Sequence, residues 1–271
     1  MTKKAWIYDY NYQNQIELAN IFPETNYLLQ LCSNKQQPIL HFWQTLPTVI
    51  LGLQDKHLAD LPAGISLLHD FHYHAFIRNS GGLAVISEPG ILNISFFIPQ
   101  KTSLTIDQAY QQAFDYLQAA FGELNLEHYQ VEHSYCPGDY DIVVQGQKIG
   151  GIAQRRQHEA VVVMIYLSVN GNQPARGQLL QQFYQAANTT HNDTYPLIWP
   201  ETMANIQDFL STPITVNDCK KRLLAAYKAT PVDLQVLTPQ LLKQQPDFQT
   251  IINKEHAKQQ RLNKVILEEN N

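Results

Sequence analysis

The run 160–169, Ala-Val-Val-Val-Met-Ile-Tyr-Leu-Ser-Val, carries apolar side chains at odd and even positions alike. Successive side chains of a strand point to opposite faces, so such a run is a strand buried on both. A chain that holds it must build a sheet and cover that sheet from two sides. The run is also far shorter than the roughly 20 apolar residues that a membrane-spanning helix needs.

Material for both tasks is spread along the chain. Residues 39–43, 49–51, 76–78 and 92–98 are apolar, β-branched runs bounded by turn residues, and each is expected as a strand. Over 106–121, Ile106, Ala109, Tyr110, Ala113, Phe114, Leu117 and Phe121 follow the spacing of one buried helix face. Thr105 with Gln108 predicts a capping box, and Gly122 a stop. Helical patterns also cover 23–32, 178–188 and about 215–227. A strand is expected over 126–131 and a loop over 133–140. Residues 141–144 and 149–153 flank Gln145-Gly146-Gln147, a hairpin turn signal. Beyond about Lys228, Gln, Lys and Glu dominate around sparse apolar residues such as Leu242, Ile252 and Ile266. The expectation is an α/β (α+β) domain over 1–228, with mixed sheets packed by helices, and a solvent-facing helical tail over 229–271.

Composition narrows the function. Apolar residues make up 44% of the chain and charged residues 16%, a globular balance. Nineteen basic and twenty-four acidic side chains give a net charge of −5, with no Lys/Arg-rich run outside the C-terminal stretch, which argues against nucleic acid as a partner. The start Met-Thr-Lys-Lys-Ala-Trp lacks the apolar stretch of a signal peptide, so a cytoplasmic location and no membrane partner are expected. Three widely spaced cysteines, Cys32, Cys136 and Cys219, form no CxxC pair, so neither a disulfide framework nor a structural zinc site is expected.

Three segments stand out chemically. Arg78-Asn79-Ser80-Gly81-Gly82-Leu83 lies between strand signals, and its paired glycines permit either a tight turn or close approach of a ligand to the backbone. Ser134-Tyr135-Cys136-Pro137-Gly138-Asp139-Tyr140-Asp141 puts a thiol in a turn rather than in the packed interior where free cysteines usually sit. It is either a spectator or a nucleophile, and a nucleophile requires its pKa to be lowered from about 8.5. Gln147-Lys148-Ile149-Gly150-Gly151-Ile152-Ala153 follows the predicted hairpin. Folding back toward the Cys136 loop would bring the Lys148 ammonium near the sulfur, where a cation favours thiolate. His133, three residues before Cys136, is a weaker candidate partner.

In this order the segments resemble the superfamily of lipoate-protein ligases, octanoyltransferases and biotin ligases. Arg78-Asn79-Ser80-Gly81-Gly82 is similar to the Arg-x-Ser-Gly-Gly segment that lines the lipoyl or biotinyl site. Lys148-Ile149-Gly150-Gly151 is similar to the superfamily's lysine segment. Within it, Cys136-Pro137-Gly138-Asp139-Tyr140-Asp141, with 80–85, 90–95, 151–156 and 201–204, resembles the subgroup that moves octanoyl groups from the glycine cleavage H protein. The resemblance implies a biotin/lipoate ligase-type α/β domain, with Cys136 forming an acyl-thioester and Lys148 lowering its pKa. It implies a substrate site at Arg78, Ser80, Gly81, Gly82, Leu83, Asn93, Tyr135, Asp141, Gly150, Gly151 and Ala153, with an oxyanion held by Lys148 and the N–H groups of Gly150 and Gly151. The expected partners are the H protein and the lipoyl domains of 2-oxo-acid dehydrogenase complexes, with no ATP or metal cofactor. The rival readings are an ATP-dependent lipoate ligase, octanoyl transfer from acyl carrier protein, and a non-catalytic lipoyl-domain binder.

Overall fold

The computed structural model describes residues 3–100, 104–157, 159–230 and 232–267. The expected double-sided strand is β10 (Ala160–Ser168), at the middle of an eight-stranded mixed sheet. Its antiparallel neighbours are β6 (Ile91–Pro99) and β9 (Gln147–Gln157). Beyond β6 come β2 (Ile39–Thr45), β1 (Lys3–Tyr12) and β11 (Val232–Val236), the last two pairings being parallel. Beyond β9 come β8 (Asp141–Val144) and the short β7 (Glu127–His128), which is all the strand formed within the run expected over 126–131. A smaller sheet pairs β3 (Thr48–Leu51) with β4 (His74–Ile77) and β5 (Val85–Ser87).

Strand periodicity sorts the two faces of the large sheet. Leu40, Phe42, Leu92, Ile94, Val163, Ile165 and Leu167 pack under α4 (Ile106–Ala120) and α6 (Val216–Lys228). Both helices begin with capping boxes, the expected one at Thr105 and a second at Thr215 with Asp218. The alternate residues face the small sheet, α2 (Ile21–Lys35), α3 (Leu61–Asp70) and α5 (Gln173–Ala187). Along this second face one rung of paired residues runs across the strands: Trp43, Asn93, Tyr166, Gly151 and Asp141. That rung becomes the floor of the site.

The C-terminal region is helical as expected, through α7 (Pro239–Lys243), α8 (Phe248–Leu262) and α9 (Lys264–Leu267), but it begins with β11 and is not solvent-facing throughout. Leu237, Leu242, Phe248 and Ile252 join the core beneath α2. The buried Asn263 side chain accepts from the Ile77 N–H at 2.6 Å and donates to the Ile77 carbonyl at 3.2 Å, satisfying the outer edge of β4. Asn263→Ala leaves the buried Ile77 N–H unpaired, while the carbonyl keeps the Gln259 side chain as donor at 2.7 Å, and is expected to cost about 1–3 kcal/mol, read as a lowered melting temperature. An unchanged melt would show that β4 does not depend on this bond.

Candidate active site

The loop expected over 133–140 carries Cys136 into the lining of a cavity of about 330 Å³ between the rung and the small sheet. Cys136 sits at φ 46°, a left-handed conformation that side chains other than glycine seldom adopt. Its sulfur accepts from the Leu83 N–H at 3.3 Å, and the Arg78 guanidinium lies 3.7 Å away. Arg78 also binds the Gly81 carbonyl at 2.9 Å and the Leu83 carbonyl at 3.2 Å, bracing the turn that aims this N–H. Gly82 has φ 89°, and a methyl group there would sit 2.7 Å from Arg78 Nη2 and 3.2 Å from the sulfur. Gly82 therefore serves the close approach of chain, guanidinium and thiol, whereas a Cβ at Gly81 would meet nothing within 4 Å.

Lys148 is nearly inaccessible and ion-paired to Asp141 at 2.8 Å. It also donates to the carbonyls of Tyr135 at 2.9 Å and Cys136 at 2.8 Å. The hairpin folds Lys148 back onto the Cys136 loop, at its carbonyls rather than at the sulfur. Gln145 and Gly146 both have positive φ, as a type I′ turn demands, and they join Val144 to Gln147. The strand register then slips between Ile142 and Val143, a bulge that turns Lys148 to the same face as Gly151. Burial pushes the Asp141 carboxyl above its usual range, and Lys148 opposes that shift. Lys148 thus grips the backbone that carries the thiol; the groups bonded to the sulfur itself are Leu83 and Arg78.

Other expected residues separate by role. Arg78, Ser80, Gly81, Gly82, Asn93, Tyr135, Asp141, Lys148, Gly151 and Ala153 line the cavity with Cys136. Ser80 Oγ is buried there without a hydrogen-bond partner among the described residues. The Leu83 side chain packs into the core beside Tyr135 and contributes only its N–H. Gly150 lies inside the ladders that β9 makes with β8 and β10, where a Cβ would meet the Tyr166 carbonyl at 2.5 Å. Its backbone, with that of Gly151, is committed to the sheet, which removes the expected oxyanion donors. His133 stacks on Trp199 at 3.7 Å and its Nδ1 contacts the Leu197 carbonyl, so it makes no dyad with Cys136. Cys32 and Cys219 are buried in α2 and α6, where burial pushes both thiols up to about 12.

Residues 23–228 match the model of the lipoyl protein ligase A/B catalytic domain. The chain belongs to this family. It is 38% identical over 244 residues to the octanoyl-[GcvH]:protein N-octanoyltransferase of Exiguobacterium sibiricum, covering 87% of this chain and 88% of that one. It is 36% identical over 197 residues to the lipoyl-[GcvH]:protein N-lipoyltransferase of Listeria monocytogenes, covering 71% of each. A crystal structure of lipoate-protein ligase A bound with ATP shares the fold, with TM-score 0.71 and 16% identity over 94% of this chain and 95% of that one. No helix among the described residues is long and apolar enough to cross a membrane.

Within the family domain, the supports of the site carry no motif and were not foreseen. Buried Asp55 accepts from the Gly52 N–H and the Tyr184 hydroxyl, both at 2.8 Å, and that hydroxyl accepts from the Ala84 N–H at 3.0 Å. Burial pushes the Asp55 carboxyl up to about 6. The bond fixes the residue next to Leu83. On the opposite side, Gln173 donates to the Tyr135 hydroxyl at 3.0 Å, and buried Arg176 ties Glu88, Ser168 and Asn205 around it. Tyr184→Phe orphans the Ala84 N–H and one Asp55 oxygen, an expected cost of about 1–3 kcal/mol. With the Leu83 N–H loosened, iodoacetamide should also alkylate Cys136 more slowly at neutral pH. A lowered melting temperature with unchanged alkylation would confine Tyr184 to stability.

Proposed function

We propose that this protein is an octanoyl or lipoyl amidotransferase that works through a thioester on Cys136. The observation that carries the reading is the thiol itself, in the lining of a cavity that also includes the small-residue stretch Gly151–Ala153 and the apolar side chains of Trp43, Ile50 and Val85. At about 330 Å³ the cavity is at the small end of ligand sites, in keeping with a single medium-length acyl chain.

Cys136 attacks the acyl amide carbonyl on a donor lysine. The C–S bond forms, the C–N bond breaks, and the thiol proton leaves with the lysine amine. An acceptor lysine then attacks the thioester, returns the proton to the sulfur and takes the acyl group as a new amide. One hard acyl transfer becomes two easier ones. The Leu83 N–H and the Arg78 guanidinium, already at the sulfur, are the groups placed to stabilise thiolate and the developing oxyanion. An amide is broken and an equivalent amide is made, so the exchange is close to isoenergetic and requires neither ATP nor a metal. The names of the relatives point to the glycine cleavage H protein as donor, and lipoyl domains of 2-oxo-acid dehydrogenase complexes are the acceptors. Incubation with octanoylated H protein, without ATP or magnesium, should add one octanoyl group to the intact mass of the enzyme. Transfer that occurs only with ATP, with release of pyrophosphate, would overturn this reading in favour of a ligase.

A further inference from the structure

Behind the acyl cavity lies a second one, of about 270 Å³, bounded by α1 (Gln15–Leu18), β4, α8 and α9. One side chain, Phe22 in the first turn of α2, lines both. We propose that the Phe22 ring is the partition that sets the upper limit on acyl-chain length, with the second cavity as the space a longer chain enters once the ring is gone; this rests on the acyl-transfer reading above.

Phe22 is buried with Trp43 and Ile50 on its acyl-cavity side. On its other side the Phe76 ring meets it edge-on, with centroids 5.6 Å apart. The two aromatic neighbours are held differently. Trp43 Nε1 donates to Ser95 Oγ at 3.3 Å, which anchors that wall to the sheet. A phenylalanine ring has no polar anchor, and Phe22 is retained by apolar packing alone. The space beyond takes its apolar surface from Leu18, Ala19, Ala75, Phe76 and Ile266, set among polar side chains that include His69, His74, Gln259 and Asn263. His256 also lines it; its ring is bonded to Asn20 Oδ1 at 2.7 Å, and burial lowers its pKa. Four further methylenes lengthen an extended chain by about 5 Å, given carbon–carbon bonds of about 1.5 Å. Such an end must cross the position of the Phe22 ring.

The test compares octanoyl and dodecanoyl thioesters of N-acetylcysteamine as acyl donors to Cys136, followed by intact mass. Wild type should strongly prefer octanoyl. Phe22→Ala should shift the ratio toward dodecanoyl by about 100-fold, the order expected for burying four methylenes. Ala75→Phe adds bulk at a position that lines the second cavity and not the acyl cavity; alone it should leave octanoyl acylation unchanged, and in the Phe22→Ala background it should cancel the gain. An unchanged ratio in Phe22→Ala, or a gain that Ala75→Phe does not reverse, overturns the partition. Should Phe22→Ala melt too low to assay, Phe22→Leu gives the same comparison with a smaller shift. Calorimetric binding of octanoate and dodecanoate to the same variants reads the partition without any transfer. Loss of acylation with a preserved shift in binding would reject the transfer reading and keep the partition, and binding ratios that do not shift would reject the partition.

Discussion

Cys136→Ser is expected to abolish the acyl-enzyme and to lower transfer by on the order of 10⁴-fold or more, the scale seen when a covalent nucleophile is removed. Cys136→Gly should be equally inactive, and it should be at least as stable as wild type. At φ 46° any side chain carries a backbone strain that glycine does not, so the glycine variant is expected to gain up to about 1 kcal/mol. A dead protein that melts at or above the wild-type temperature would mark the cysteine as held in a strained conformation for its chemistry. Serine transferring octanoyl at the wild-type rate would eliminate the covalent mechanism. A glycine variant that melts well below wild type would show instead that the thiol is part of the packing.

Lys148 is the second position of large effect, and the structure changes the reason. Its ammonium is paired with buried Asp141 and bonded to the Tyr135 and Cys136 carbonyls. Lys148→Ala therefore leaves an uncompensated carboxylate inside the protein, at an expected cost of about 3–5 kcal/mol, and frees the backbone on which the thiol rides. Transfer should fall by about 10²–10⁴-fold. Lys148→Met with Asp141→Leu separates the two consequences. Replacing a buried ion pair by apolar side chains of similar volume is often close to neutral, so the double variant should recover most of the lost stability. It should not recover transfer, because the carbonyls at 135 and 136 still lack their donor. Recovery of activity together with stability would reduce Lys148 to a folding residue. A pH profile of Cys136 alkylation in wild type and in the double variant tests whether the lysine favours the thiolate: superimposable profiles mean that it does not tune the thiol.

The amino-acid sequence by itself determined the layered α/β architecture and singled out most of the polar and glycine residues that the fold gathers around one cavity. The two-sided run in β10, the capping boxes of α4 and α6 and the type I′ turn at Gln145-Gly146 are local signals, and local sterics and hydrogen bonding are enough to produce them. Cys136 in its turn and the Arg78–Gly82 segment were visible for the same reason. Elements whose rules are set by distant neighbours were not. Pro62 and Gly64 look like helix breakers, yet α3 forms: the proline sits in the first turn, where no N–H is required, and Gly64 admits the Phe183 ring, which a Cβ there would meet at 2.7 Å. The sparse apolar residues past Lys228 gave no sign that β11 would find an edge beside β1, because parallel pairing joins segments far apart in sequence. The direction of the Lys148 side chain was likewise decided only in the fold. A strand slip at Ile142 and Val143 turns it onto Asp141 and the loop carbonyls, and the sulfur is left to an arginine and a backbone N–H from a segment more than fifty residues earlier in the chain. Spacing brings residues into reach of one another, but which atoms bond depends on register and on the buried partners that fix it.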